Sequence, residues 1–77
     1  MIAEASRRNG VSPFLIKAVI LQESGFRPLA RGTAGEIGLM QLTPAAVTDW
    51  ERGTGFHLPH RGQIFDARLN IEIGTWY

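Results

Sequence analysis

The order of apolar and polar positions along the chain predicts helices separated by glycine and proline. A first helix is expected over about residues 2–9, and Gly10 ends it because a residue without a Cβ adopts a left-handed backbone most easily. A second helix is expected over residues 13–24, where Ser12 is the cap and a proline occupies the first helical position. Since nearly every position from Phe14 to Leu21 is apolar, we expect most of this helix to be buried.

Two further helical segments are predicted in the second half of the chain. Thr43 and the proline after it form another cap and start a helix over about residues 44–52, and helical spacing of apolar residues returns over residues 66–77. The connections over residues 26–38 and 53–63 are rich in glycine, and so long a connection in a small domain is usually functional or disordered. Neither strand-like alternation nor an internal repeat occurs. The expected fold class is therefore all-α with long functional loops.

Length and composition restrict the chain to one small globular domain. It has 77 residues, of which 44% are hydrophobic and 19% charged, and a net charge of +1. The basic residues are scattered, so a nucleic-acid-binding surface is not expected. The absence of cysteine excludes disulfides, thiolate zinc sites and a cysteine nucleophile. No apolar run approaches the roughly 18 residues of a membrane span.

Glu23 is the residue whose position is most suggestive of chemistry. At about 100° per residue it falls beside Ile16 and Val19, on an apolar face at the end of the second helix. Removal from water favours the protonated form of a carboxyl group, and a protonated carboxyl group is what a general acid needs to protonate a glycosidic oxygen. The alternative is that Glu23 leans into solvent or binds loop amides.

Glycosidases usually use two carboxyl groups, and no second one is convincingly placed. Glu36 lies in the glycine-rich connection, where it is free to approach Glu23, but the spacing does not require it. Asp49 lies among polar neighbours, and Asp66 is better interpreted as the cap of the last helix. The acids therefore favour a mechanism with one carboxyl group, or no glycosidase at all.

The other polar candidates do not indicate a metal or a cofactor. His57 and His60 have a spacing that suits a metal ligand pair on a helix, but the proline between them disfavours a helix. The glycines of the 26–38 connection lack both the preceding strand and the Lys-Ser/Thr ending of a phosphate-binding loop. Met40 alone is interpreted as core packing, whereas Gln41 is the more natural ligand-facing donor and acceptor.

Three short motifs occur in order: Glu23-Ser24-Gly25-Phe26, then Gly38-Leu39-Met40-Gln41, then an Asn-Ile-x-x-Gly-x-x-Tyr pattern that ends at Tyr77. Each motif is weak alone. Together they resemble the signatures of the soluble lytic murein transglycosylase domain, and the resemblance covers essentially the whole chain. It implies a lysozyme-like, mostly α fold.

The resemblance also implies a chemistry. The family cleaves the β-1,4 bond between N-acetylmuramic acid and N-acetylglucosamine, using one glutamate as acid and then as base. The 6-hydroxyl of the muramic acid attacks in place of water, which leaves a 1,6-anhydro end. By position that glutamate is Glu23; Ser24, Met40 and Gln41 would serve the glycan site, and Tyr77 would point at the glutamate. The implied partner is a peptidoglycan strand, the implied location is the periplasm or cell envelope, and no cofactor is implied.

Two departures from the family pattern affect these expectations. Gly32 occupies a position where many relatives have a serine that helps to position substrate. The family domain also continues past Tyr77 into further helices. Residues 1–77 are therefore expected to be a single, truncated catalytic domain without its C-terminal helices, whose groove further domains or another chain would complete.

Two other functions remain open from the sequence. One is a lysozyme-type muramidase on the same fold, in which Glu36 or Asp49 places an attacking water. The other is a peptidoglycan-binding fragment without activity. In that second case aromatic side chains would stack on sugars rather than pack in the core; they are Phe26, Trp50, Trp76 and Tyr77.

Overall fold

The computed structural model describes all residues from Met1 to Tyr77, and its regular structure is entirely helical apart from two isolated β-bridges. This confirms the expected fold class. The elements in chain order are α1 (Ile2–Asn9), α2 (Pro13–Ser24), α3 (Pro44–Thr54), a 3₁₀ helix (Arg61–Phe65) and α4 (Ala67–Trp76). Helix α4 contacts α1, α3 and the 3₁₀ helix, and α1 also contacts α2.

The helix ends lie where local chemistry predicts them. The side chains of Ser12, Thr43 and Asp66 each accept a backbone N–H from the first turn of the helix that follows. Gly10 and Gly25 end α1 and α2 in the left-handed conformation, with φ of 66° and 61°. These ends depend on contacts within a few residues, which is why the sequence alone predicts them.

The expectation that α2 is mostly buried is wrong. Only Ile16, Ile20 and Ser24 are buried, and they lie on one side of the helix. Phe14 is 77% exposed and Leu21 is 64% exposed, and by helical spacing both lie on the opposite side. A nearly continuous apolar run cannot show which side of a helix the rest of the chain covers, so the run predicts burial on all sides.

The segment over residues 53–63 is also not a single loop. Helix α3 extends to Thr54, and Arg61–Phe65 form the 3₁₀ helix. Ile64, the fourth residue of that 3₁₀ helix, is 2% exposed and belongs to the core, although the sequence around it carries no helical pattern. Burial of this side chain is a tertiary contact, which local propensity over residues 53–63 does not predict.

Two hydrophobic clusters make up the core. One joins α1, α2 and α4 through residues such as Ile20 and Ile71, and the other joins α3, the 3₁₀ helix and α4 through residues such as Trp50 and Ile73. Met40 packs against both clusters. The connection between α2 and α3 thus fills the seam between the two halves of the core.

Asn70 is the buried polar residue that ties this connection to the helices. It is fully buried on α4. Its Oδ1 accepts the backbone N–H of Met40 at 2.8 Å, and its Nδ2 donates to the carbonyl groups of Ile37 at 2.9 Å and Ile64 at 3.0 Å. Gly38 lies directly against this amide, and a Cβ there would overlap Nδ2, so the position requires a glycine.

Glu51 fixes the loop between α3 and the 3₁₀ helix. Its carboxylate accepts the backbone N–H of Leu58 at 2.8 Å and lies 3.0 Å from the guanidinium of Arg61. The Leu58 hydrogen bond, the largest cause, and the Arg61 charge hold the pKa of Glu51 below its ordinary value, against a raising effect of desolvation. The carboxylate therefore stabilises the loop in its charged form.

We predict that Asn70→Ala lowers the free energy of unfolding by roughly 2–4 kcal/mol, because it leaves the N–H of Met40 and the carbonyl group of Ile64 without this partner, whereas the Ile37 carbonyl keeps the N–H of Leu42. Denaturant unfolding measures this loss. The matched control is Asn9→Ala on α1, whose amide is only partly buried, and it is expected to cost less than about 1 kcal/mol. Equal losses in the two variants would contradict the role assigned to Asn70.

We also predict that Glu51→Gln weakens the dependence of stability on acid pH. A folded-state pKa below the ordinary value means that the carboxylate contributes stability above that ordinary value. This contribution disappears as the pH falls through the lowered pKa. Melting temperatures measured from neutral pH to about pH 3 should therefore fall less steeply for the variant than for the wild type. Glu4, whose pKa Arg68 lowers, retains part of the slope. Parallel curves would refute the prediction.

Candidate active site

A cavity of about 250 Å³ opens between α2, the residues before α3, and the end of α4. Five of its lining residues are hydrophobic, and Glu23 contributes the carboxylate among them. Ligand sites are commonly apolar clefts with a few polar groups, which is the character of this one. The lining residues are Val19, Glu23, Met40, Gln41, Leu42, Thr43, Ala46, Gly74 and Tyr77.

Glu23 reaches the cavity from the last turn of α2. Its position beside Val19 is as the helical spacing predicts, since both residues line the cavity. The expected burial is wrong, because Glu23 is exposed. The side of α2 that carries it borders an open cleft rather than packed protein, so this chain alone does not remove the carboxyl group from water.

The connection that carries Met40 and Gln41 is held by its own backbone. Ile37 and Leu42 exchange two backbone hydrogen bonds, each of 2.9 Å, and the N–H of Gly38 donates to Ala30 at 2.9 Å. Arg31 pairs with Ile37 as an isolated bridge. A segment predicted only as a long loop is therefore a folded unit with one edge on the cavity.

Gln41, which lies beside the cavity, has a strained backbone. Its φ of 49° lies in the left-handed region, which is uncommon for a residue with a Cβ and concentrates at functional sites. Its Nε2 donates to the carbonyl groups of Gly38 at 2.8 Å and Ala30 at 3.1 Å, so both amide hydrogens are used inside the connection. The Gln41 side chain therefore has no free donor, and Oε1 is its remaining hydrogen-bonding group, whereas the sequence predicted a donor as well.

Met40 lines the cavity and also fills the core seam. Its side chain lies over Gly74 of α4, where a Cβ would sit 2.5 Å from the Met40 sulfur. The absence of a side chain at Gly74 therefore lets the thioether reach the helix. The interpretation of Met40 as core packing is confirmed, and the same side chain forms one wall of the cavity.

Tyr77 forms the wall contributed by the end of α4. Its ring lines the cavity, while its hydroxyl lies 3.3 Å from Asp49 Oδ2 and donates to that carboxylate on α3. The resemblance implied that Tyr77 points at Glu23. In the structure the hydroxyl is bound by Asp49 instead, which holds the ring at the edge of the cavity.

Ser24 and Glu36 are not brought to the cavity. Ser24 is 2% exposed, and its hydroxyl donates to the carbonyl of Ile20 at 3.2 Å, which is helix back-bonding. The Glu36 carboxylate accepts the backbone N–H of Ala34 at 2.8 Å within its own connection. Of the five predicted site residues, the structure thus brings together Glu23, Met40, Gln41 and Tyr77.

Sequence reasoning missed the role of Asn70. It belongs to the third motif, and a polar residue among apolar neighbours on a helix is a signal for a buried hydrogen-bonding group.

Nowhere in the chain do three or more histidine, cysteine or acidic side chains group closely enough to hold a metal ion. None of the helices is long and apolar enough to span a bilayer.

Comparison with known proteins gives consistent matches over the whole chain. The family model described as "Transglycosylase SLT domain" matches residues 1–77. The chain is 40% identical to membrane-bound lytic murein transglycosylase C of Cronobacter sakazakii and 42% identical to that of Klebsiella pneumoniae, each over 79 aligned residues. These alignments cover 100% of the chain but only 22% of each relative.

Solved structures give the same result. An inactive mutant of the lytic transglycosylase Slt from Pseudomonas aeruginosa, with glutamine in place of a glutamate, superposes with a TM-score of 0.91 at 30% identity. The 70 kDa soluble lytic transglycosylase of Escherichia coli gives a TM-score of 0.90 at 27% identity. Each match covers 99% of this chain and 12% of the other. These matches confirm the lysozyme-like, all-α fold that the motifs implied.

We predict that Gln41→Glu destabilises the chain by roughly 2–3 kcal/mol, because a carboxylate of the same shape cannot donate to the carbonyl groups of Ala30 and Gly38. Hydrogen exchange should then be faster at the amides of residues 31–42. The matched control is Gln22→Glu, the same change at an exposed position of α2, which should leave stability within about 0.5 kcal/mol. Similar losses in both variants would contradict the assignment.

Proposed function

The chain belongs to the transglycosylase SLT domain family, and on that premise we propose that it carries the catalytic glutamate of a lytic murein transglycosylase. Glu23 is the general acid and then the general base for cleavage of the β-1,4 bond between N-acetylmuramic acid and N-acetylglucosamine. The product is a 1,6-anhydro-N-acetylmuramic acid end. Because the chain spans 22% of the length of the curated relatives, the activity proposed is that of the whole protein to which it corresponds.

The observation that carries the proposal is that Glu23 is the only carboxylate lining the cavity. The two other acids that were candidates are engaged elsewhere. Glu36 accepts a backbone N–H of its own connection, and Asp49 accepts the Tyr77 hydroxyl. A water-activating second carboxylate, which an inverting glycosidase needs on the other face of the sugar, is not among the lining residues.

A single carboxyl group suffices for the proposed reaction because the nucleophile is part of the substrate. Protonated Glu23 gives its proton to the glycosidic oxygen as the bond from C1 to that oxygen breaks. The 6-hydroxyl of the same muramic acid then attacks C1 and loses its proton to the Glu23 carboxylate, which restores the acid. An intramolecular nucleophile is already held near C1, so no residue has to position a water. No water is consumed.

The remaining lining residues support substrate positioning. Met40 and Tyr77 give apolar surface for a sugar face, and the Gln41 oxygen gives an acceptor for a hydroxyl or an amide N–H of the glycan. The strained backbone at Gln41 is held by the connection, so this acceptor is preorganised. Ser24 acts at a distance from the glycan, by fixing the last turn of α2 that carries Glu23.

The relatives support the substrate and the location. The curated proteins are named for murein and described as membrane-bound, and the P. aeruginosa structure is of a mutant named inactive after a glutamate was replaced by glutamine. Loss of activity on that single change agrees with a one-glutamate mechanism. We therefore place the site of action in the cell envelope, on the glycan strands of peptidoglycan, with no cofactor taking part.

The test is digestion of purified peptidoglycan by the protein, with products identified by mass spectrometry. We predict soluble fragments lighter by one water than hydrolytic products, and a loss of roughly 100- to 10,000-fold in their rate of release with Glu23→Gln, the range for removal of a general acid. The matched control is Glu36→Gln, which should keep the rate within about threefold because Glu36 does not line the cavity.

Each other outcome assigns a different function. Products that carry the extra water and disappear with Glu23→Gln would make the protein a lysozyme-type muramidase. If Glu23→Gln still releases fragments and Glu36→Gln does not, Glu36 is the general acid. If peptidoglycan binds but no fragment is released by the wild type, the protein is a binding module and the catalytic proposal fails.

A further inference from the structure

A second cavity of about 340 Å³ lies on the other flank of α4. Trp76 and Glu72 line it, whereas Gly74 and Tyr77 line the first cavity. At about 100° per residue these two pairs lie roughly 140° apart around the helix. The two cavities have no lining residue in common, so a ligand in the second would not occupy the Glu23 site.

Trp50, Phe56 and Trp76 form an aromatic wall of the second cavity, and two of the three are exposed rather than buried in the core. Trp50 is 6% exposed and packs in the core, but Phe56 stacks on it from outside at 5.7 Å between ring centroids and 15° between planes, and stays 67% exposed. Trp76 is 38% exposed beside them. Leaving a phenylalanine and an indole in contact with water costs free energy unless a partner covers them.

Gly53 makes room for one of these rings. It lies inside α3, where glycine is about 1 kcal/mol less favourable than alanine. A Cβ at this position would sit 2.5 Å from Cζ2 of Trp76 and 2.7 Å from Cη2. The indole therefore lies directly on the helix backbone, and the wall depends on a residue that weakens the helix.

Arg8 and Glu72 supply the polar rim. Their closest charged atoms are 3.9 Å apart, which is too long for a hydrogen bond, and the Arg8 side chain is 68% exposed. Apart from a long contact from Asn9 at 3.4 Å, the carboxylate of Glu72 keeps its acceptor positions free. The rim thus offers free donors beside free acceptors, and its two charges cancel.

We propose that this cavity is a second carbohydrate site, which binds one ring of a neutral saccharide. A sugar hydroxyl accepts from Arg8 and donates to Glu72 at once, and the apolar C–H face of a pyranose fits the electron-rich face of an aromatic ring. Because the charges of Arg8 and Glu72 cancel, the rim gives a charged ligand no net electrostatic attraction. The choice of a saccharide among neutral ligands rests on the proposed function, since a glycan strand has further rings beyond the one that is cleaved.

Intrinsic fluorescence tests this proposal directly. The chain has two tryptophans, both line the second cavity, and neither lines the first. Titration of the protein with tri-N-acetylchitotriose, a neutral N-acetylated oligosaccharide, should give a saturable change in tryptophan emission. Phe56→Ala and Glu72→Gln should each weaken this binding about tenfold or more, as truncation of an aromatic anchor or loss of a charged hydrogen bond does.

Two controls separate this site from the rest of the molecule. Phe14→Ala removes a phenylalanine from α2 that is at least as exposed as Phe56 and lies outside both cavities, and it should leave the titration unchanged. Glu23→Gln should lower fragment release by the roughly 100- to 10,000-fold predicted above but also leave the titration unchanged. No saturable change in the wild type would overturn the proposal, as would a titration that Glu23→Gln abolishes and Phe56→Ala does not. Neither result bears on the catalytic proposal, which is decided by the products of digestion.

Discussion

One buried side-chain amide, that of Asn70, holds the candidate site to the rest of the molecule. Its three hydrogen bonds connect α4 to the backbone on both sides of Gly38 and to the 3₁₀ helix. With this amide satisfied, Met40 enters the seam between the two hydrophobic clusters and the connection forms one wall of the cavity. The position of the wall is thus decided by a residue that does not itself touch the cavity.

Three glycines, each on a different element, allow close contacts between α4 and the rest of the chain. Gly38 admits the Asn70 amide, Gly53 admits the Trp76 ring, and Gly74 admits the Met40 side chain. A chain of 77 residues has a thin core with little apolar area to bury. At these glycines a side chain packs directly against the backbone, because no Cβ separates the two. Two of these contacts also shape the cavities, since Met40 lines the first cavity and Trp76 lines the second.

The helices could be predicted from the sequence because their signals are local. Caps such as Ser12 and terminating glycines such as Gly25 act within one turn, and the structure places the ends of α1 and α2 as predicted. Burial could not be predicted in the same way. The apolar run of α2 does not specify which side the other helices cover, so the exposure of Phe14 and Glu23 depends on tertiary packing alone. Likewise, the internal hydrogen bonds of Gln41 follow from the folded connection, and residue type gives no indication of them.

The long sequence separation of the Asn70 hydrogen bonds has a consequence for the order of assembly. Met40 and Ile37 precede their partner by 30 and 33 residues, whereas the caps of α1 and α2 join residues only a few positions apart. Helix nucleation can therefore begin before the connection is fixed, but closing that loop must wait until α4 docks. A nascent chain carries Glu23 long before it carries Asn70. The cleft around the acid is thus among the last parts of the molecule to acquire its shape.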